Sequence, residues 1–282
     1  MDRHSLAIRI ARTPSLGMMP TVTIQILKLA DNPRVSAKQL ASVMEREPNL
    51  AAKLLRAANS TYYGTGAKVN TLSQAITMLG INTARSLAVA QAYQQATSGK
   101  PGAALFDRNV FWQHCLATAT AARVLARLKR LHDPELAFIA GMLHDSGRMA
   151  LDRFMPFELD RAIQLSIETN IPLIEAEQEV MQFDHTDVGV MLAEQWGLPD
   201  QLKEAIEFHH QEVAYEENPL ACLIRAGNVI AHQLGFALGM PNAYGEDDPI
   251  FEALELPSEQ IEPLARAVET DVLRTMDLYA AA

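Results

Sequence analysis

The sequence predicts an all-α protein, and three observations support this prediction. Apolar residues recur at helical spacing through most of the chain, and capping residues or prolines precede these runs. Glycine or proline follows many of them. Sustained two-residue alternation and Asn-Gly hairpin signals, which would indicate β-strands, do not occur in the sequence. With 282 residues, 49% of them hydrophobic, the chain can bury a large core in one domain or in two closely packed ones.

Residues 1–17 are interpreted as a leader and residues 18–100 as an N-terminal helical half. Pro20 opens an apolar-periodic run that predicts the first helix. Ser36, with a glutamine three residues later, matches the capping-box pattern that begins a helix. Pro48 stands where the first residue of a helix tolerates proline, so a third helix is predicted to begin there.

Two further helices are predicted in this half. The helix that begins at Leu72 should stop at Gly80, because glycine readily takes the left-handed conformation that ends helices. Asn82 is the predicted cap of the next helix. Residues 97–102 are rich in glycine, serine and proline and form the predicted boundary with the second half of the chain.

Residues 101–240 are predicted to form a second helical half. Asp107 is the predicted cap of a long helix, and Pro134 begins a helix that ends at an adjacent His-Asp pair. Pro172 begins another helix, and Asp184 is the predicted cap of the helix after it.

The next helices lead into a C-terminal segment of residues 241–282. Asp200 begins a helix that reaches two adjacent histidines, and residues 220–234 are strongly apolar and helical. The acidic stretch 244–249 is predicted to be a solvent-exposed loop. Ser258 is the predicted cap of the final amphipathic helix.

Charge and cysteine content limit the partners and the compartment. The formal net charge is −10 and the pI is near 5.3, which argues against a broad nucleic-acid surface rich in lysine and arginine. Residues 36–58 superficially resemble a helix-turn-helix, but such helix pairs more often serve packing, so nucleic acid is not an expected partner. Only Cys115 and Cys222 are present, which fits a reducing cytoplasm. No signal peptide and no apolar run of about 18 residues occurs, so we expect a cytoplasmic protein without a membrane partner.

The strongest functional signal is the pair His144 and Asp145 at the end of an apolar helix. An imidazole nitrogen holds one metal ion terminally, whereas a carboxylate with two oxygens can bridge two ions. An adjacent pair of this kind can seed a phosphoesterase centre with one or two metals. A dipeptide alone is weak evidence, so the rest of the chain must supply further ligands.

Four other histidines lie in or beside apolar-periodic helices. His114 is predicted mid-helix on a buried face, His185 at a helix N-terminus, and His209 and His210 at a helix C-terminus. Any one of them alone is more often a hydrogen-bonded structural histidine than a ligand. Together with the His-Asp pair, they favour a metal centre built from helices.

The segment Gly141–Arg148, with the sequence GMLHDSGR, resembles the signature of the HD superfamily of metal-dependent phosphohydrolases. The chain around it resembles the HDOD branch, the HD-related output domains of bacterial signalling proteins. The resemblance implies a multi-helix bundle like that of the HD superfamily, with an additional N-terminal helical subdomain. Leu54–Ser60 is the most family-specific of the matching segments. These segments are Met19-Pro20, Glu47–Leu50, Leu54–Ser60, Tyr63-Gly64, Ala75–Gly80, Asp184–Gly189, Trp196–Pro199 and His209-His210.

The resemblance also implies a ligand set for one or two divalent ions of iron, manganese, nickel or zinc. Asn228 stands where the superfamily has a closing aspartate. Because an amide oxygen is neutral, it is a weaker ligand than a carboxylate. In the implied set His114 is the first ligand, His144 and Asp145 are the signature pair, and His185, His209 and His210 hold a second metal.

Two departures concern the chemistry of the site. In the cyclic-dinucleotide phosphodiesterase branch, called HD-GYP, a lysine follows the signature pair and a Gly-Tyr-Pro loop follows the two adjacent histidines. Here Arg148 and residues 211–215 stand in those places. The guanidinium fork of Arg148 can grip a phosphate, but the substrate-shaping loop is missing.

Two functions are compatible with these features. The HDOD resemblance favours a regulatory signalling module that binds a protein partner or a nucleotide-like ligand, with an eroded or non-catalytic metal site. The alternative is a working metal-dependent phosphohydrolase acting on a phosphoester or nucleotide, in which Asp145 and Arg148 are catalytic. Metal analysis of protein prepared without chelator would distinguish the two.

Overall fold

A computed structural model describes residues 1–13, 19–30, 34–60, 68–99, 102–131, 133–237 and 248–280. All regular secondary structure in these ranges is helical, which confirms the all-α prediction. The helices are α1 (Arg3–Ala11), α2 (Thr21–Ala30), α3 (Ala37–Met44), α4 (Pro48–Ala58), α5 (Leu72–Leu79), α6 (Ile81–Thr97), α7 (Arg108–Leu128), α8 (Pro134–Leu143), α9 (Ser146–Phe154), α10 (Pro156–Thr169), α11 (Leu173–Met181), α12 (His185–Trp196), α13 (Asp200–Phe208), α14 (Pro219–Gln233), α15 (Ile250–Ala253) and α16 (Ser258–Ala280).

The predicted starts and stops of the N-terminal helices are confirmed with one correction. Ser36 and Gln39 form a reciprocal capping box at α3, and α4 begins at Pro48. Helix α5 stops at Gly80, whose φ of +86° lies in the region that favours glycine. Asn82 is not the cap of α6, because that helix begins directly after Gly80 and encloses Asn82 in its first turn.

Helix α1 lies in the segment for which the sequence predicted no helix. Asp2 caps it by accepting a hydrogen bond from the Ser5 amide. Leu6 and Ile10 are buried, and the helix packs against α12. Two apolar residues four positions apart make too short a stripe to indicate a helix from sequence alone.

Helix α7 is the centre of the C-terminal half, and α8 and α14 pack along it. A Cβ atom at Gly141 of α8 would lie 2.5 Å from the Ala119 Cα of α7, so glycine is needed for this close approach. The predicted caps are confirmed at Asp107 and Asp184. Helices α9 and α10, which the sequence did not predict, lie between the His-Asp pair and α11.

Helix α6 joins the two halves through a shared core. Residues 84–93 are all buried, and the helix contacts α2 and α5 as well as α7 and α8. Arg85 of α6 pairs with Asp133, which caps α8, at 2.6 Å. The buried apolar residues form one cluster that runs from Leu6 to Val272.

The acidic stretch 244–249 needs a correction at Asp248. Residues 244–247 lie outside the described residues, but Asp248 is buried. Both of its carboxylate oxygens accept hydrogen bonds from Arg225, at 3.2 and 3.0 Å. A buried carboxylate is stable when it is paired in this way. Within the described ranges, none of the helices combines the length and the apolar character that a membrane crossing requires.

Candidate metal centre

Asp145 lies at the junction of two helices, where its carboxylate is surrounded by imidazole rings. Helix α8 ends at Leu143 and α9 begins at Ser146, so His144 and Asp145 occupy the short connection between them. The Arg148 amide donates to the Asp145 carbonyl oxygen at 2.9 Å, which fixes the first turn of α9. The Asp145 side chain is fully buried.

Three histidines lie on the Oδ1 side of Asp145. His185, the first residue of α12 after the Asp184 cap, has its Nε2 atom 3.1 Å from Oδ1. His209 follows α13, and its Nε2 atom is 3.6 Å from the same oxygen. His210 Nε2 is 3.2 Å from His185 Nε2. Ligand atoms of Asp145 and these three histidines all lie within 4.8 Å of one another.

Two histidines and an arginine lie on the Oδ2 side. The Nε2 atoms of His144 and His114 are 3.5 and 3.7 Å from Oδ2. Arg148 Nη1 donates to Oδ2 at 2.5 Å. The structure therefore brings together every histidine of the predicted set, Asp145 and Arg148, in two clusters that share one carboxylate.

The opposite ring nitrogen, Nδ1, is anchored in four of the histidines. A carbonyl oxygen only accepts hydrogen bonds, so an Nδ1 atom beside one must carry the proton. In the three rings that a carbonyl oxygen anchors, the neutral Nε2 atom is then left with a lone pair on the side of Asp145. The anchors are Phe236 O for His114 at 2.8 Å, Gly141 O for His144 at 2.7 Å, Ile206 O for His209 at 2.8 Å and Glu177 Oε2 for His185 at 2.5 Å.

Glu177 of α11 lies beside the cluster and was missed by the sequence interpretation. Its Oε2 accepts from the His185 backbone amide at 3.0 Å, and its Oε1 accepts from Arg148 Nε at 3.0 Å. The side chain is fully buried. A signal was present, because Glu177 falls on the buried stripe of α11 with Leu173 and Met181, where an unpaired carboxylate would be costly.

Burial keeps most of the clustered histidines in the neutral form that binds metal. It lowers the pKa of His144 and of His210 well below the ordinary value. Burial also lowers the pKa of His114 and of His209. These rings are neutral at pH 7, so a metal ion need not displace a proton from them.

His185 and Asp145 are shifted by their neighbours instead. Burial alone would lower the pKa of His185, but Glu177 and Asp145 outweigh it and raise the value to about 9. Burial would raise the pKa of Asp145, but the Arg148 guanidinium and the adjacent histidines hold it well below its usual range. The carboxylate is therefore ionised at pH 7.

Asn228 of α14 is buried, and its Oδ1 atom has no hydrogen-bond partner among the described residues. One turn later on the same helix face lies His232, whose ring centroid is 5.4 Å from that of His114. Burial, and then the neighbouring His114, lower the pKa of His232 to about 3. The sequence interpretation did not include His232, because nothing in its local pattern separates it from an ordinary surface histidine.

The donor set fits a divalent transition metal. His144 Nε2, 3.5 Å from Asp145 Oδ2, is buried without a hydrogen-bond partner among the described residues. A buried polar atom is rarely left in this state, so the cluster is suited to hold a further group. Imidazoles around one carboxylate are the ligands that iron, manganese, nickel and zinc accept in proteins.

Comparison with known proteins places the chain among helical relatives. A family model described as HDOD domain matches residues 16–212. An uncharacterized protein from Treponema pallidum (strain Nichols) is 24% identical over 230 residues, which cover 80% of this chain and 43% of that protein. The chain thus spans less than half the length of this curated relative.

Two crystal structures share the fold. An HDOD domain protein of unknown function from Geobacter sulfurreducens matches with a TM-score of 0.79 at 20% identity, covering 92% of this chain and 91% of that chain. A candidate signal transduction protein from Marinobacter aquaeolei VT8 matches with a TM-score of 0.70 at 23% identity, covering 93% of this chain and 59% of that chain. These likenesses confirm the predicted helical bundle.

Proposed function

The chain belongs to the HDOD domain family, whose model covers residues 16–212, and on this basis we propose that it is a bacterial signalling module with a non-catalytic metal centre. Such a module acts by binding a signalling protein or a nucleotide-like phosphoester ligand. The helices before residue 100 provide a surface for that partner. The description of the Marinobacter aquaeolei protein as a candidate signal transduction protein supports this context.

The engagement of Arg148 is the observation that carries the proposal. Its guanidinium donates to Asp145 at 2.5 Å and to Glu177 at 3.0 Å, and its side chain is 8% exposed. A guanidinium that grips a substrate phosphate must face an open cavity, whereas this one is bonded to two buried carboxylates. His144 and His185, on the two sides of Asp145, are also fully buried, as in a closed structural site rather than an open catalytic one.

A divalent ion held by this centre would supply a stabilising link between helix ends. The residues that would hold it are His185, His209 and His210 with Asp145, and they come from the ends of α8, α12 and α13. Because an ion that binds only the folded arrangement stabilises it, occupancy would set how firmly these helices are held together. A regulatory module can transmit a change in how firmly its helices are held together to the surface that binds its partner.

Metal analysis and a phosphoesterase assay on the same preparation test the proposal. Protein purified without chelator should contain a stoichiometric transition metal. It should hydrolyse bis(p-nitrophenyl) phosphate and nucleotides no faster than the Asp145→Ala variant. Metal-dependent turnover that disappears in Asp145→Ala would overturn the non-catalytic proposal.

A metal-dependent phosphohydrolase is the second candidate, and one observation favours it. All the histidines of the set that the HD resemblance implies converge on Asp145, whereas a site under no constraint would lose some of them. In this candidate Asp145 holds the metal and Arg148 orients the phosphate. Turnover should then require the metal and should fall by at least about 10-fold in Arg148→Gln, since charge-assisted contacts to phosphate are lost.

A further inference from the structure

We infer that Arg148 takes the place of a second ion, so that the centre holds a single divalent ion on the Oδ1 side of Asp145. This inference rests on the proposed metal centre and specifies its stoichiometry and its ligands. The single ion would be held by His185, His209, His210 and one oxygen of Asp145.

The two sides of the Asp145 carboxylate differ in their neighbours, because the Oδ2 side holds a guanidinium, which never loses its charge, and the Oδ1 side holds imidazoles, which are metal ligands. On the Oδ2 side, Arg148 Nη1 lies 2.5 Å from the oxygen, closer than His144 at 3.5 Å or His114 at 3.7 Å. An ion bound to the same oxygen at roughly 2.0–2.2 Å would lie next to the guanidinium. Since like charges at such a distance repel strongly in a buried site, the guanidinium and a second ion exclude each other.

The guanidinium is held in a fixed position, so it excludes a second ion at all times. Arg148 Nε also donates to Glu177 at 3.0 Å, so the planar fork spans two carboxylates at once. The arginine therefore occupies the interior of the centre as a permanent positive charge.

The Oδ1 side offers a complete set of ligands for one ion. Three imidazoles and one carboxylate oxygen make four donors, which is the number in a closed zinc site. His185 is oriented by Glu177, in the carboxylate–histidine arrangement that accompanies metal-binding histidines. Glu177 thus serves both sides, since it orients one ligand and holds the arginine in place.

Metal stoichiometry tests the inference without reference to activity. Bound metal is removed from the full chain with chelator, and the chain is then dialysed against Zn²⁺. Its zinc content is measured by mass spectrometry, and zinc binding is measured in parallel by calorimetric titration. We expect one ion per chain in the wild type and in Arg148→Lys, which keeps the charge. Arg148→Gln, which removes the charge but keeps hydrogen-bonding groups, should bind two.

Arg225→Gln is the matched control, because Arg225 is likewise buried and bonded to a carboxylate, Asp248, but belongs to another part of the molecule. It should bind one ion. Circular dichroism shows whether each variant is folded. If Arg148→Gln fails to fold, two ligand variants decide instead, since His209→Ala should lose the ion and His144→Ala should keep it.

The remaining outcomes overturn either this inference alone, or this inference together with the proposed metal centre on which it rests. Two ions in the wild type, or one ion that is lost in His144→Ala but kept in His209→Ala, would overturn the inference while leaving a metal centre in place. A folded Arg148→Gln variant with a single ion would also overturn it. A wild-type chain that binds no zinc would overturn the proposed metal centre and this inference together.

Discussion

Glu177 holds two parts of the centre with one side chain, through Oε2 on His185 and Oε1 on Arg148. Opposite charges attract strongly here, because all three side chains are buried. Burial would raise the pKa of Glu177, but His185 and Arg148 lower it, so the carboxylate is ionised. A neutral side chain at this position would remove one of the two carboxylates, Glu177 and Asp145, that pair with both cations.

The first prediction is that Glu177→Gln weakens zinc binding by about 10- to 100-fold, the loss that follows removal of a partner that orients a metal-binding histidine. Calorimetric titration of the chelator-treated protein measures the affinity. Glu179→Gln, an exposed substitution on the same helix, is the control and should bind zinc like the wild type. Equal affinities in the two variants would show that Glu177 does not support the site.

At the residue scale, the sequence identified the histidines and Asp145 by their residue types, and the structure brings them together. It did not identify the residues that join them only through the fold. Glu177 and His232 reach the centre only because α11 and α14 pack beside α12 and α7, and no local pattern encodes that neighbourhood.

The backbones of α9 and α12 approach each other closely at Gly147. A Cβ atom there would lie 1.9 Å from the His185 carbonyl oxygen and 2.9 Å from the Gly189 amide nitrogen. Both neighbours are backbone atoms, which cannot move aside as a flexible side chain does. An added methyl group would therefore push α9 away from the helix that carries His185.

Gly147→Ala is accordingly predicted to destabilise the protein by about 1–3 kcal/mol or more, as overpacking of a close contact does. Urea denaturation followed by circular dichroism measures the loss. Gly99→Ala is the control, since its Cβ would meet the end of the Arg108 side chain at 3.2 Å and the Ala96 carbonyl oxygen at an ordinary contact distance of 3.8 Å. A change within about 0.5 kcal/mol is expected there, as for ordinary surface positions. The same small change in Gly147→Ala would contradict the close contact.

The cap of α12 starts a helix and also positions His185, one of the proposed ligands. Asp184 accepts hydrogen bonds from the Thr186 and Asp187 amides, and His185 is the next residue in the chain.

Asp184→Ala should cost about 1 kcal/mol of stability, the usual effect of losing a cap. It should also weaken zinc binding. Asp107→Ala removes the cap of α7, which lies seven residues before His114, and should lower stability equally while leaving zinc affinity unchanged.

Capping was predictable because it depends on residues within one turn of each other, as at Ser36, Asp107 and Asp184. Helix α9 was not predictable in this way. Its buried face carries Arg148 and Asp152, whose charges interrupt the apolar pattern. Their burial is offset in part by partners far along the chain, Glu177 for Arg148 and Arg108 for Asp152, and a local pattern does not contain these partners.

At the scale of the whole molecule, the boundary predicted at residues 97–102 separates the two halves along the chain but not in the core. Helix α6 is buried on all sides between 84 and 93, so neither half covers its apolar surface alone. The apolar pattern of α6 predicted a helix correctly, yet it did not show that elements from both halves surround it. The contacts between α6 and α8 show this arrangement, and they form only in the folded chain.

We therefore predict that the chain unfolds in one cooperative transition. The two tryptophans, Trp112 and Trp196, lie on α7 and α12 and report on the C-terminal half by fluorescence.

Leu40→Ala removes a fully buried side chain from α3 in the N-terminal half and should cost about 2–5 kcal/mol. If the halves share one core, the urea midpoint by tryptophan fluorescence must fall as far as the midpoint by circular dichroism. Lys38→Ala, an exposed change on the same helix, should shift neither. If the fluorescence midpoint of Leu40→Ala stays at its wild-type value while part of the circular dichroism signal is lost at lower urea, the halves unfold independently. In that case α6 does not couple the N-terminal helices to the half that contains the metal centre.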